Sequence, residues 1–358
     1  MIPVPMLALA MTPEDKQISK IVTLDYPTGQ NSVAIITGVG ELFLQGYNLH
    51  GECGVNGTTA FYDHFAQIKV INGSNNWQCL DVCVGGGAFV YHLDLPSGKH
   101  WMFTGSYAEL LGDQSETIAD TPTELPADYQ EVTHTEHGTG HLKEVRGTFG
   151  HNLWLYQFED GFWGLYINGS NVSEIMLAPV ATPKLLTVSQ HKFPHFCVTD
   201  NSASYMTADG VLHALGNVQA ILGVDTTTGP DYWITYDISS LTSISSGAKF
   251  LDYRLDANVC AIIVGDDSSV LSHELAEGAI WFRRGSRNYY ERGVNPPTLS
   301  RFLPGPAAHH VVDVESGDVY GFANSNKSGY LSYADTYDDT YAEYNGCLVN
   351  FAWGREVE

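Results

Sequence analysis

A glycine-punctuated hairpin near the start of the chain constrains its fold more than any other feature. It occupies residues 33–54, with the sequence VAIITGVGELFLQGYNLHGECG. An apolar run meets a turn at Gly38-Val39-Gly40, and a second apolar run follows at Leu42-Phe43-Leu44. Three further glycines close the stretch, namely Gly46, Gly51 and Gly54. Two apolar runs joined by glycines predict a β-hairpin whose second strand enters a glycine-rich loop.

Weaker copies of this pattern recur along the chain. Each copy has a turn glycine followed by an apolar or aromatic strand, and these glycines are Gly40, Gly98, Gly161, Gly210, Gly278, Gly317 and Gly346. Another apolar strand precedes the first six, at Val33–Ile36, Phe89–Leu93, Leu153–Phe158, Ala203–Met206, Val259–Val264 and His310–Val314. Several short strands per irregular repeat predict a β-propeller, because one small twisted sheet cannot bury both faces alone. A β-sandwich or jelly roll is the alternative.

The predicted fold class is therefore all-β, a single six- or seven-bladed β-propeller. Composition agrees, since the chain of 358 residues has 36 glycines, 12% aromatic residues and only 16% charged residues. Many glycines and few charges favour short strands and turns over long surface helices. We predict a division into residues 1–20, an extension with a short helix from Thr12-Pro13 to near Lys20, and residues 21–358, the propeller.

Charge and cysteine usage restrict the possible partners. The formal net charge is −24, so we expect no nucleic-acid partner and no membrane insertion, and a basic partner is favoured. The apolar N-terminal stretch lacks a basic region and carries two prolines, so we predict no signal peptide. No run is long enough for a transmembrane helix. The six cysteines are predicted to be buried free thiols in a reducing compartment.

The densest histidine cluster lies in residues 133–141. His134, His137 and His141, with Glu136 between them, are a candidate metal site because imidazole and carboxylate are common metal ligands. The spacing is not that of a zinc-protease helix, and the surrounding threonines and glycines predict an exposed loop. An ordinary surface loop is therefore the favoured interpretation, and the sequence predicts no metal and no other cofactor.

A basic stretch at residues 282–293 is the predicted binding interface. It holds four of the eight arginines of an acidic chain within ten residues. The candidate interface residues are Arg283, Arg284, Arg287, Tyr289, Tyr290 and Arg292. Arginine and tyrosine dominate the hot spots of protein interfaces and also contact phosphates and acidic glycans. The alternative for this stretch is local neutralisation of the acidic surface. A separate acidic tyrosine run, residues 333–344, is predicted to be a surface loop, and contact with a basic partner is its alternative.

The first hairpin also resembles the repeat of the regulator of chromosome condensation family, roughly G-x-L-Y-x-W-G-x-N-x-x-G-Q-L-G. The positions that fit are Gly40, Leu42, Phe43, Gly46, Asn48, Gly51 and Gly54. Gln45, Glu52 and Cys53 depart from the pattern, and the later copies keep less of it. The resemblance implies a seven-bladed propeller that serves as an interaction platform. It also implies, for some members, guanine-nucleotide exchange on small GTPases, but no exchange interface matches here residue by residue.

The predicted function is a non-catalytic structural or binding propeller in a larger assembly. We expect a virion protein, tail- or capsid-associated in a bacteriophage, located in the virion or the cytoplasm. Its partners would be other protein subunits, contacted in part through the apolar N-terminus. No nucleophile motif G-x-S-x-G and no phosphate-binding G-x-x-x-x-G-K is present, and no catalytic residue is assigned. The alternatives are an exchange-factor-like regulator of a small GTPase and a propeller that binds or cleaves host surface glycans.

Overall fold

The computed structural model describes most of the first 216 residues and the strands beyond them. The described ranges are 18–24, 32–54, 61–71, 73–112, 117–148, 150–169, 180–193, 195–198, 202–207 and 212–216, and then the backbone of the strands at 234–236, 248–255, 259–266, 279–284, 290–291, 300–303, 309–313, 319–323 and 344–348.

The described strands form six antiparallel meanders of four consecutive strands, which are the blades. Blade one is β1 (Ile18–Leu24), β2 (Ser32–Thr37), β3 (Leu42–Tyr47) and β4 (Phe61–Gln67). Blade two is β5 (Gln78–Gly85), β6 (Ala88–Leu95), β7 (Gly98–Ser106) and β8 (Ile118–Glu124). Blade three is β10 (Gly138–Thr148), β11 (His151–Phe158), β12 (Trp163–Gly169) and β13 (Val180–Ser189), and the short β9 (Glu131–His134) pairs with β10 outside the meander.

The remaining three blades follow in chain order. Blade four is β14 (His195–Val198), β15 (Ser202–Met206), β16 (Leu212–Gly216) and β17 (Ile234–Tyr236). Blade five is β18 (Ala248–Leu255), β19 (Val259–Asp266), β20 (Ala279–Arg284) and β21 (Tyr290–Glu291). Blade six is β22 (Ser300–Leu303), β23 (His309–Asp313), β24 (Val319–Ala323) and β25 (Tyr344–Leu348). Two short helices, α1 (Tyr107–Leu111) and α2 (Ala127–Gln130), flank β8.

The blades close into a ring through their first strands. Each first strand contacts the first strand of the next blade, in the order β1, β5, β10, β14, β18 and β22, and β22 contacts β1 again. These six are therefore the inner strands around the axis. Between blades two and three the contact becomes a parallel pairing of β5 with β10, which pairs Val84 with Arg146. The described residues thus confirm the all-β propeller, with six blades rather than the seven that the resemblance implies.

The glycine turns have one position in every blade. Each of the first six turn glycines lies between the second and third strand of its blade, or on the first residue of the third, and each predicted preceding strand corresponds to the second strand. The seventh copy is wrong. Gly346 lies inside β25, the outer strand of blade six, so glycine and apolar residues there mark a strand and not a new turn.

Residues 1–20, the predicted extension, are only partly tested. Residues 1–17 lie outside the described residues, and so does most of the predicted helix. β1 begins at Ile18 and pairs with β2, so the last three residues of the predicted helix are strand instead. Pairing with a neighbouring strand has overridden local helix propensity at these residues.

The blades present two faces, which we define by their connections. The turn face carries the turns between second and third strands (38–41, 96–97 and 159–162) and the links between blades. The loop face carries the connections between first and second strands and between third and fourth strands, such as residues 48–54 and 107–112. In antiparallel meanders these connections must alternate between the two ends of the strands.

The glycine-rich loop of blade one holds blade two. Asn48 is fully buried, and its Oδ1 accepts a hydrogen bond of 2.7 Å from the backbone N–H of Cys53. The loop then offers the carbonyl of Glu52 to the Thr104 hydroxyl of blade two at 2.6 Å. Gly51 has φ +77°, and a Cβ there would lie 2.6 Å from the Cα of Asp120. The repeat motif is therefore a joint between blades, and its glycine is required by both conformation and space.

A pair of glycine substitutions tests this joint. Gly73 has almost the same φ, +76°, but nothing lies within 4 Å of a Cβ built there. We expect Gly73→Ala to lower the free energy of unfolding by about 1–2 kcal/mol, the cost of a left-handed backbone alone. Gly51→Ala should cost at least about 1 kcal/mol more, because blade two must move to admit the methyl group. Urea denaturation measures both, and equal losses would contradict the joint.

Candidate functional site

Charged side chains gather on the inner strands around the axis. Lys20 of β1 contacts Asp81 of β5, with Nζ 2.5 Å from Oδ1. On β10, Glu144 Oε1 lies 2.7 Å from Nη2 of Arg146 and 2.8 Å from its Nε. Lys192, just before β14, places Nζ 3.6 Å from Glu144 Oε2. These five residues, which we call the axial cluster, come from blades one, two and three and from the link that leads into blade four.

The axial cluster is positioned by a bulge that recurs in the inner strands. In β1, β5, β10 and β18 the pairing register shifts by one residue, which leaves an extra residue in the inner strand. The extra residues are Ser19, Leu80, Lys143 and Leu251, and a charged residue follows each of them, namely Lys20, Asp81, Glu144 and Asp252. A bulge redirects the strand that follows it, so blades one, two, three and five carry a charged residue at the equivalent position.

Electrostatics in the axial cluster favour the ionised forms. Burial raises the pKa of Glu144, but the charges of Arg146, Lys20 and Lys192 outweigh burial and lower that pKa to about 2. Burial lowers the pKa of Lys20, but the neighbouring acidic groups, above all Cys83 and Asp81, outweigh it and the pKa is raised. Both side chains are thus held charged at neutral pH, as partners in ion pairs and not as groups ready to exchange protons.

Arg146 links blade three to blade four. Its Nη1 donates a hydrogen bond of 2.8 Å to the carbonyl of Phe196, and its guanidinium carbon lies 4.4 Å from the centre of the Phe196 ring. Arginine can stack on a ring and bind a carboxylate in a fork at once, and lysine cannot. The axial cluster therefore acts chemically as a set of contacts between blades.

A second polar group joins blades two and three below the surface. The carbonyl of Leu110 in α1 accepts hydrogen bonds of 3.0 Å from the side-chain amides of both Asn152 and Asn168. The indole N–H of Trp154 donates to Asn168 Oδ1 at 2.6 Å. Both asparagines are fully buried, and buried amides are tolerated only when hydrogen-bonded. This network is structural. It holds the third-to-fourth-strand connection of blade two against blade three, as the glycine-rich loop of blade one is held against blade two.

The cysteines whose side chains the structure describes are buried and form no disulfide, as predicted. They are Cys53, Cys79, Cys83 and Cys197. Burial raises the pKa of Cys53 and Cys79 well above the usual range and that of Cys83 to about 12. A thiolate is the reactive form, so these thiols act as small apolar side chains. Cys260 and Cys347 lie in β19 and β25, whose side chains are outside the described residues.

The histidine cluster forms a hairpin rather than a loop. His134 ends β9 and pairs with Gly138, while His141 of β10 pairs with Glu131. Paired residues share a face of the sheet and successive residues alternate, so His134 and His141 lie on opposite faces. His137, in the turn, contacts Asp160 (Nδ1 to Oδ2, 2.8 Å), and His141 contacts Glu131 (Nδ1 to Oε1, 3.1 Å). The described residues contain no group of three or more ligand side chains placed to hold a metal ion.

The predicted interface residues fall at the third-to-fourth-strand connection of blade five. Arg283 and Arg284 end β20, where they pair with Cys260 and Val259, and Tyr290 begins β21. This is the position that the glycine-rich loop has in blade one, so it lies on the loop face. Arg287, Tyr289 and Arg292 lie outside the described residues, and of the acidic run 333–344 only Tyr344, which begins β25, is described.

Comparison with known proteins supports the fold. No protein-family model matches the sequence, and no curated protein is significantly similar to it. Among solved structures, human WBSCR16 matches with a TM-score of 0.59 and 13% identity, over 94% of this chain and 83% of that one. Yeast RCC1 (Prp20) bound to Kap60 matches with a TM-score of 0.58 and 10% identity, over 93% and 75%. Saccharomyces cerevisiae Prp20p in a second crystal structure matches at 0.57 and 10%, over 89% and 75%.

The chain has an RCC1-like propeller fold. The resemblance seen in the first hairpin is thereby confirmed for the fold, and identities of 10–13% carry no activity with them. Within the described residues, no helix combines the length and apolar character needed to cross a bilayer.

The charge on Glu144 makes a prediction for stability against pH. Its pKa falls from 4.5 to about 2 on folding, so its contribution is complete above about pH 4.5 and is lost as the pH falls toward 2. That contribution is on the order of 3 kcal/mol, since one pKa unit is worth about 1.4 kcal/mol. We expect Glu144→Gln to reduce the fall in unfolding free energy between pH 5 and pH 3.

The matched control is Glu131→Gln, which removes a carboxylate paired with His141 but 59% exposed. It should keep the acid dependence of the wild type, because exposed ion pairs contribute little. Urea denaturation across this pH range gives the slopes. If both variants retain the wild-type slope, Glu144 is not held ionised by the axial cluster.

Proposed function

We propose that this chain is a non-catalytic, protein-binding propeller and a subunit of a larger assembly. The observation that carries the proposal is that the charged side chains around the axis are already paired with one another. The ionisable groups of the axial cluster are engaged with one another, Lys20 with Asp81 and Lys192 with Glu144 across blade boundaries and Glu144 with Arg146 within β10. General acid–base catalysis needs a group with a pKa near the working pH, whereas Glu144 has its pKa lowered to about 2. The surfaces available to a protein partner are then the connections between strands on the turn face and on the loop face.

The loop face of blade five is the surface we assign to a partner. Arg283 and Arg284 end β20, next to the third-to-fourth-strand connection on the loop face. A chain with net charge −24 that places four arginines within ten residues presents a local basic site to an acidic partner surface.

We place this assembly in a virion, as a phage tail or capsid-associated subunit. The support is compositional: eroded repeats, 20 tyrosines and 36 glycines, and strong acidity. Crosslinking mass spectrometry of native particles that contain this chain tests the setting. Crosslinks from residues 283–292 to another structural polypeptide are expected. Recovery of the chain as a lone monomer from its source would overturn the assembly proposal.

A double substitution tests the partner surface. Arg283→Ala with Arg284→Ala should weaken association with the crosslinked partner at least about tenfold, because arginines at interface centres each contribute 1 kcal/mol or more. The melting temperature should change little. Lys99→Ala is the control, since it removes an exposed basic residue on the turn face. Titration calorimetry measures the affinities. If the double variant binds as tightly as wild type, the arginines do not contact the partner and serve to neutralise the acidic surface.

An exchange-factor-like role is the main rival, because the structural likeness includes Prp20p, whose crystal structure is titled with binding to Gsp1p and histones. A nucleotide-release assay on a panel of small GTPases separates the two proposals. Stimulated release would overturn the structural role. A polysaccharide panel serves the same purpose for the glycan alternative, with hydrolysis that is lost in Glu144→Gln as the outcome that would favour an enzyme.

A further inference from the structure

An exposed apolar patch lies on the turn face where blades one and two meet. Val39, Val70 and Leu80 are 39%, 59% and 42% exposed, and they are three of the five exposed large apolar residues in the described part of the chain. Val39 is in the turn of blade one, Val70 in the link from β4 to β5, and Leu80 is the bulged residue of β5.

The three segments that carry the patch are tied to one another. The N–H of Cys79, next to Leu80, donates a hydrogen bond of 2.8 Å to the carbonyl of Gly40, next to Val39. The N–H of Ile68, two residues before Val70, donates to the carbonyl of Leu42 at 3.0 Å. The patch is therefore fixed in place by backbone hydrogen bonds, and a partner would meet a preformed apolar surface.

The chain enters the ring beside this patch. Ile18, the first described residue, pairs with Thr37, which is two residues before Val39. β1 also contacts β5, the strand that carries Leu80. The preceding segment, Met1–Met11, has the sequence MIPVPMLALAM and contains no charged side chain. Residues 12–17 between them reach at most about 20 Å when extended, which covers the distance from Ile18 to the neighbouring turn and link.

We propose that the patch of Val39, Val70 and Leu80 is the docking site of this chain's own N-terminal segment, Met1–Met11. A tethered segment has a high effective concentration at a site beside its point of attachment. Docking removes apolar surface from water on both sides, and burial of that kind is favourable without any polar partner. The proposal is independent of the loop-face partner.

Cleavage of the arm measures docking directly. Lys16 is a trypsin site between the arm and β1, and intact mass follows the loss of residues 1–16. In the full chain with Val70→Ser and Leu80→Ser we expect cleavage at least about tenfold faster than in wild type, the factor that 1.4 kcal/mol of lost burial produces. Leu49→Ser with Ile118→Ser is the control, because both residues are exposed but lie on the loop face.

A second variant keeps the test independent of folding of the ring. Leu7→Ser with Leu9→Ser alters only the arm and should accelerate cleavage by the same factor, and hydrogen exchange in residues 1–11 should rise with it. Equal cleavage in wild type and both test variants would overturn the proposal. Protection that disappears on dilution of the wild type would also overturn it, because the patch would then hold the arm of a second copy.

Discussion

Packing between neighbouring inner strands is the interaction on which the rest of this ring depends. Each blade hydrogen-bonds within itself, and among the described strands only β5 and β10 pair across a blade boundary. In the part of the ring whose side chains are described, apolar clusters join blades one to four, and ion pairs and side-chain hydrogen bonds add to them. Because each sheet has two apolar faces, a blade is stable only between two neighbours. The contact of β22 with β1 is therefore needed for every blade, including those far from it.

The axial cluster shows how an acidic chain uses its few cations. Lys20, Arg146 and Lys192 lie where inner strands converge, and each is placed against a carboxylate. A buried carboxylate without such a partner would cost several kcal/mol of desolvation. The bulges before Lys20, Asp81 and Glu144 help to set the geometry of these pairs. The bulges and the ion pairs at the axis therefore act together. Because cations are used at the axis, the surface of the chain carries the excess of acidic residues.

Sequence predicted the features whose cause is local. The turn glycines of six blades were placed correctly, because a tight turn needs residues that tolerate it. Gly346 was wrongly predicted to be the turn glycine of a seventh blade, because the local sequence of a glycine in an outer strand resembles that of a glycine in a turn. The bulges were not predicted, since a register shift depends on the partner strand. The bulges do share a sequence pattern. An apolar residue is followed by the bulged residue, which is of any type, and then by a charged residue, as in Cys79-Leu80-Asp81 and Leu142-Lys143-Glu144.

The same limit applies to the candidate sites. The histidines from 134 to 141 are close in sequence, but the alternation of side chains in the β9–β10 hairpin separates His134 from His141. The pairing of His137 with Asp160 joins residues that no local pattern connects. For Arg283 and Arg284, alignment of the repeats already predicted the place of the glycine-rich loop, and the fold adds that this place lies on the loop face of blade five.

Each blade is made of one uninterrupted stretch of chain, and this has a consequence for how the ring tolerates rearrangement of its gene. The ring closes through contact between the first and last blades, and the described strands show no strand exchanged between them. The topology therefore does not require the chain to begin at blade one. A circular permutant that joins the present ends and opens the link between β4 and β5 would keep every blade whole. The same independence allows a ring of this kind to gain or lose a blade by duplication or deletion of a single segment.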